Sequence, residues 1–262
     1  MTRAWALHLR DPNELELDQG FRALCTFLRF APISSGSDRD EYPNALTELQ
    51  ELAAGAHGTS ALAHLVIRHI ELFSDGKAEG IYLLHSVIAR FAMLHEIGKR
   101  DIPLRLELLS QGILKSMTKA ISSLLDGRFT NLTDLVPACV LLVTSLLTTH
   151  PIYLWIKKAA AAGFLPVFLR ASIRSDCYNF REKFAKFIKF LTISTVYRPV
   201  LRPLQESVNR CREVLDSIHF ALSSVRDEWT PFLELLNRRV LFLDRLDLAS
   251  KPTRRACDDL EV

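Results

Sequence analysis

Two stretches decide the fold: Pro103–Leu125, PLRLELLSQGILKSMTKAISSLL, and Pro151–Leu169, PIYLWIKKAAAAGFLPVFL. Each reads as a short helix closed by a glycine, Gly112 or Gly163. Two bulky apolar residues follow, Ile113-Leu114 or Phe164-Leu165, and open a second helix. Glycine permits the sharp turn between two helices, and the apolar pair plugs the angle between them. The pattern returns after about fifty residues, a spacing typical of helical repeats.

Outward from these stretches the apolar residues keep helical spacing, and no alternating strand pattern interrupts them. Toward the N-terminus, Asp11-Pro12-Asn13-Glu14 has capping-box spacing, with Leu17, Phe21, Leu24 and Leu28 on one face beyond it. A short helix is expected from Pro43 and another through His64 and His69 to Phe73. A longer one is expected from about Glu79 to Ile97, closed by Gly98. Toward the C-terminus the helices lengthen from Asp176, where Phe180, Phe184, Phe187, Ile188 and Leu191 form one face. Arg198-Pro199 and Arg202-Pro203 break the pattern. A helix then runs from about Leu204 to Leu222, and the last begins near Glu228 with Trp229, Phe232, Leu235, Leu236, Val240 and Leu243.

This is an all-α chain. The segments QGILKSMTKAISSLL and AGFLPVFLRAS resemble armadillo or HEAT repeats. That resemblance implies stacked helix pairs in a right-handed, armadillo/HEAT-like superhelix with longer helices at the C-terminal end. The expected organisation is one helical domain over 1–247, with a sub-boundary near 174–178 and a polar tail over 248–262.

The composition, 48% apolar and 24% charged, is that of an ordinary globular chain. Net charge is +3, from 33 basic and 30 acidic residues, too balanced to imply nucleic acid. Its distribution is uneven. Residues 1–56 carry five basic and nine acidic residues, whereas 170–212 carry ten basic and three acidic. The five cysteines are scattered, with no C-x-x-C, so a disulfide framework is not expected and a reducing compartment, cytoplasm or nucleus, is. The N-terminus lacks a long apolar run of the secretory kind. The charge-free run Leu135–Ile156 is long enough to span a bilayer, but Pro137, His150, Pro151 and its serines and threonines interrupt it. A buried helix followed by a turn is expected there, and no membrane span.

The sharpest enzyme-like string is Met93–Pro103, MLHEIGKRDIP. It resembles the His-Asp-Ile-Gly-Lys signature of HD-type metal-dependent phosphohydrolases, which implies His95, Glu96 and an upstream His69 as metal ligands. Glu96 stands where that family has Asp, and Gly98 with Lys99 and Arg100 is also an ordinary helix C-terminus. His64 and His69 are five residues apart and do not share a helical face as an i, i+4 metal pair does. No Gly-x-Ser-x-Gly elbow, P-loop or dinucleotide fingerprint occurs. The expectation is therefore no catalytic residue, no metal and no cofactor. Cys25, Cys139, Cys177 and Cys211 sit within apolar helical patterns as small core residues. Arg181, Lys183, Lys186 and Lys189 form a basic stripe pointing away from Phe180, Phe184 and Phe187. An acidic partner, a nucleic acid or an anionic membrane surface could use it, and a solvated face over a packed aromatic core is the plainer expectation.

The tail Lys251–Val262, KPTRRACDDLEV, resembles the start of a MYND-type zinc finger in proteins of mushroom-forming fungi. The helical region before it, with AAAAGFLPVFLRAS and Thr195–Leu201, is similar as well. Cys257 matches the first zinc ligand of that pattern, and Val262 falls where the second is expected. One thiolate cannot hold a structural zinc, which needs four ligands, so zinc is expected only if a complete finger follows Cys257. The resemblance implies a non-enzymatic protein–protein interaction scaffold whose partner is a protein or peptide.

Overall fold

A computed structural model describes Gln50 and residues 53–73, 102–126, 135–174 and 178–249. Among these the chain is all helical, with no strand. The helices expected over 11–28 and 79–97, most of the one expected from Pro43, and the tail lie outside the described residues. The helices are α1 (Thr59–Phe73), α2 (Ile102–Ser110), α3 (Ile113–Asp126), α4 (Leu135–Leu147), α5 (Ile152–Ala161) and α6 (Phe164–Arg174). They continue with α7 (Tyr178–Ser194), α8 (Arg198–Asn209), two single turns α9 (Arg212–Leu215) and α10 (Ile218–Ala221), and the long α11 (Arg226–Ala249).

The glycine corners form as the sequence pattern implies. Gly112 has φ +98° between α2 and α3, and Gly163 has φ +80° between α5 and α6. α5 and α6 meet at 76°. The apolar residues after each glycine fill the angle: Ile113 and Leu114 are 1% and 2% exposed, Phe164 and Leu165 2% and 3%. A third corner sits at Gly58, φ +122°, between the helical turn at 53–55 and α1. Its next residues are Thr59 and Ser60, and Ala56, Leu62 and Ala63 supply the buried plug instead. Side chains tie successive corners together. Gln111 Nε2 donates to the Ser60 carbonyl and hydroxyl, both at 2.9 Å. Arg210 Nη1 donates to the Ala161 carbonyl at 3.4 Å.

Packing between distant helices is mostly three places on. From α3 onward, beside contacts between consecutive helices, α3 packs on α6, α4 on α7, α5 on α8, α6 on α9 and α8 on α11, while α3 also meets α5, α4 meets α6, α6 meets α8, and α7 packs on α11 four places on. α1 packs on α2 and α3. Ion pairs mark two of these seams: Arg170 of α6 pairs with Asp126 of α3, and Arg202 of α8 with Asp244 of α11 at 2.8 Å. The core is densest where α6, α7 and α11 meet. Phe168 stacks on Phe184 with centroids 4.9 Å apart and meets Phe187 edge-on at 4.5 Å. Trp229 continues the cluster to Phe184 at 6.0 Å and Phe232 at 5.5 Å. Phe168, Phe184 and Trp229 are fully buried.

Three local expectations change. Pro203 lies inside α8, whose start is Arg198. A proline there removes one helical hydrogen bond and costs about 3 kcal/mol. Burial of Val200, Leu201 and Leu204 against α5 and α11 outweighs that loss. The helix expected over 204–222 is instead three pieces, because turns at Arg210-Cys211 and Asp216-Ser217 interrupt it. Ser217 caps α10 by accepting from the Phe220 amide at 3.2 Å. Finally, α11 starts at Arg226, which places Pro231 inside it. The apolar run from Leu135 divides into α4 and α5 around a turn at 148–151. α4 is a core helix, with Cys139, Val143, Leu146 and Leu147 buried. No single described helix is long and apolar enough to cross a membrane.

Candidate interaction surface

The basic stripe expected on α7 is placed on an outward side. Arg181, Lys186 and Lys189 are exposed, while Phe184, Phe187, Ile188 and Leu191 are buried. The side chain of Lys183 lies outside the described residues. At 100° per residue, Lys186 and Lys189 share the side opposite the buried phenylalanines, and Arg181 stands on another side. Lys186 is also engaged, donating to Glu182 one turn earlier at 2.6 Å.

Part of the local excess of positive charge over 170–212 is answered by acids far away in sequence. Arg170 pairs with Asp126, Arg198 with Asp247, and Arg202 with Asp244 and Asp247. These contacts join helices; they do not present cations to a partner. Each pair is exposed enough that it contributes only up to about 1 kcal/mol.

A second basic surface lies on α3. Lys115 and Lys119 are exposed and make no ion pair among the described residues. Ser122 and Asp126 continue the same side, with Ser122 donating to Asp126 at 3.3 Å. The opposite side, Leu114, Met117, Ile121, Leu124 and Leu125, is core. The flanking helices extend this face. On α6, Arg170 reaches Asp126; on α1, Glu71 accepts from Ser116 at 2.8 Å. Arg68 lies one turn before Glu71, and its buried Nε has no hydrogen-bond partner. The arrangement therefore runs across α1, α3 and α6, with two solvent-facing lysines between acids already held by neighbours. Chemically it attracts anions and offers no nucleophile–base pair. The signal was in the sequence as polar residues at 115, 119, 122 and 126, at helical spacing on the side opposite Leu114, Met117, Ile121 and Leu125.

Among the described residues, no group of three or more His, Cys, Asp or Glu is arranged to hold a metal. His95 and Glu96 lie outside those residues; His69 is on α1, with its side chain outside them too. His64 is exposed. Cys139 and Cys211 are buried free thiols, as core cysteines are expected to be. Burial pushes the Cys211 thiol up to about 12, against a smaller opposing effect of Arg210, and pushes Cys139 up as well. Neither is a thiolate at neutral pH, so neither is an activated nucleophile. Cys25, Cys177 and Cys257 lie outside the described residues.

Comparison with known proteins finds no matching family model, no matching curated protein and no matching solved structure.

Proposed function

We propose that this chain is a non-enzymatic scaffold for protein–protein interaction, built as an armadillo-like stack of helical units. One observation supports the reading: five pairs of helices pack three places on, and the corners at Gly58, Gly112 and Gly163 share a positive-φ glycine. A three-helix period is that of an armadillo unit. Stacked units expose a long continuous face, and such a face suits an extended peptide or a partner helix. The face of α1, α3 and α6 is the proposed recognition surface, with Lys115 and Lys119 at its centre. The α7 cations Arg181, Lys183, Lys186 and Lys189 are a second basic site for an acidic protein partner. The likeness of the tail around Cys257 to the start of a MYND-type finger fits a recruiting role in the cytoplasm or nucleus.

The test compares wild type with two charge-reversed variants, Lys115→Glu/Lys119→Glu and Arg181→Glu/Lys186→Glu/Lys189→Glu. Proximity labelling in cells identifies proteins lost from a variant, and purified candidates are then titrated. A partner binding wild type at least tenfold more tightly, with affinity that falls as salt rises, supports the reading. Unchanged binding by both variants sinks these surfaces. Metal-dependent phosphohydrolase activity abolished by His95→Ala sinks the non-enzymatic reading.

A further inference from the structure

The outward side of α11 carries a pattern that its inward packing does not require. Trp229, Phe232, Leu236 and Leu243 face the core and are buried. Opposite them, Asp227, Glu234, Arg238, Leu241 and Arg245 are all exposed. At 100° per residue these five fall in one strip about 60° wide. Their spacing of seven, four, three and four follows heptad positions, but four of the five are charged, so the strip is an electrostatic one and not an apolar coiled-coil seam. Leu241 is 59% exposed, and Phe242 and Leu246, on one flank of the strip, are 63% and 46% exposed. The charges are ordered: acids in the N-terminal half, arginines in the C-terminal half. None of Asp227, Glu234, Arg238 and Arg245 makes an ion pair among the described residues. The acids that serve the fold, Asp244 and Asp247, are on another side of the helix, bound to Arg198 and Arg202.

We infer that the outward face of α11 binds a second copy of this chain, antiparallel, about a two-fold axis. Antiparallel pairing sets the acidic half of each helix against the basic half of its mate, twice over; parallel pairing sets like against like. A two-fold contact needs such a self-complementary patch. Leu241, Phe242 and Leu246 add exposed apolar surface at the basic end. The helix is about 36 Å long at 1.5 Å per residue. One helix seam of that length buries less than the about 800 Å² per partner of a standard interface, so association is reversible and depends on concentration.

Sedimentation equilibrium on the whole chain, up to about 100 µM, tests this without a substitution. Wild type is expected to rise from 29.7 kDa toward twice that mass with concentration. A mass fixed at 29.7 kDa throughout overturns the proposal. Two variants then test the pairing: Asp227→Lys/Glu234→Lys and Arg238→Glu/Arg245→Glu. Each alone, with a single sign of charge on the strip, is expected to stay monomeric while keeping the circular dichroism of wild type. Their equimolar mixture is expected to recover the dimer. Dimerisation of either variant alone at wild-type strength, or failure of the folded mixture to associate, overturns the proposal.

Discussion

Replacing Gly163 by alanine isolates the backbone requirement on which the corners rest. A Cβ built at Gly163 meets nothing within 4 Å, so no steric clash contributes. What remains is torsional, because φ is +80°. An L-residue with a Cβ held in the left-handed region costs about 1–2 kcal/mol. Alanine also restricts the unfolded chain, which returns about 0.4–1 kcal/mol. The net expectation is a loss of about 1 kcal/mol. Urea unfolding followed by far-UV circular dichroism reads this as a midpoint lowered by roughly 0.3 M, for a slope of about 3 kcal/mol/M. The slope itself should not change. Asparagine, which tolerates left-handed backbone, should cost less than alanine, and valine more. The double change at Gly112 and Gly163 should sum to about 2 kcal/mol, since separated sites add. A Gly163→Ala protein as stable as wild type, or one more stable than Gly163→Asn, refutes the corner argument.

Other expectations follow from the same packing. Phe168→Ala removes the ring stacked on Phe184 and edge-on to Phe187, and should cost about 3–5 kcal/mol, seen as a Tm lowered by the order of 10 °C. Cys139 and Cys211 should resist iodoacetamide in the folded protein at pH 8 and react only after unfolding. Their raised pKa keeps both protonated until well above that pH, and burial blocks access; mass spectrometry of labelled peptides gives the answer. Arg202→Ala removes the pairs to Asp244 and Asp247, leaving Asp247 with Arg198, and should cost under about 1 kcal/mol, less in 1 M salt, because the pairs are exposed.

The corners at Gly112 and Gly163 were legible because glycine and the apolar pair announce them together. The corner at Gly58 was not, because Thr59-Ser60 stands in the pair's place and Leu62 and Ala63 do its work one turn later. Local rules put a break at Pro203, yet α8 continues, since partners distant in sequence bury Val200, Leu201 and Leu204. Charge was the least legible feature. Three arginines of the basic segment 170–212, none of them in the α7 stripe, are engaged by Asp126, Asp244 and Asp247, all outside it, and no local pattern announces those pairs. Lys115 and Lys119 show in the sequence as polar positions at helical spacing, and packing of α1, α3 and α6 gathers the rest of their face.

The most direct test of the stacked register is cross-linking of positions that only that register brings together. In a background lacking the native cysteines, Asp126→Cys with Arg170→Cys joins α3 to α6, and Arg202→Cys with Asp244→Cys joins α8 to α11. A short bismaleimide should link each pair within one chain, at a yield independent of dilution. If neither pair links while circular dichroism shows the protein folded, the three-helix register is wrong, and the scaffold built on it falls too.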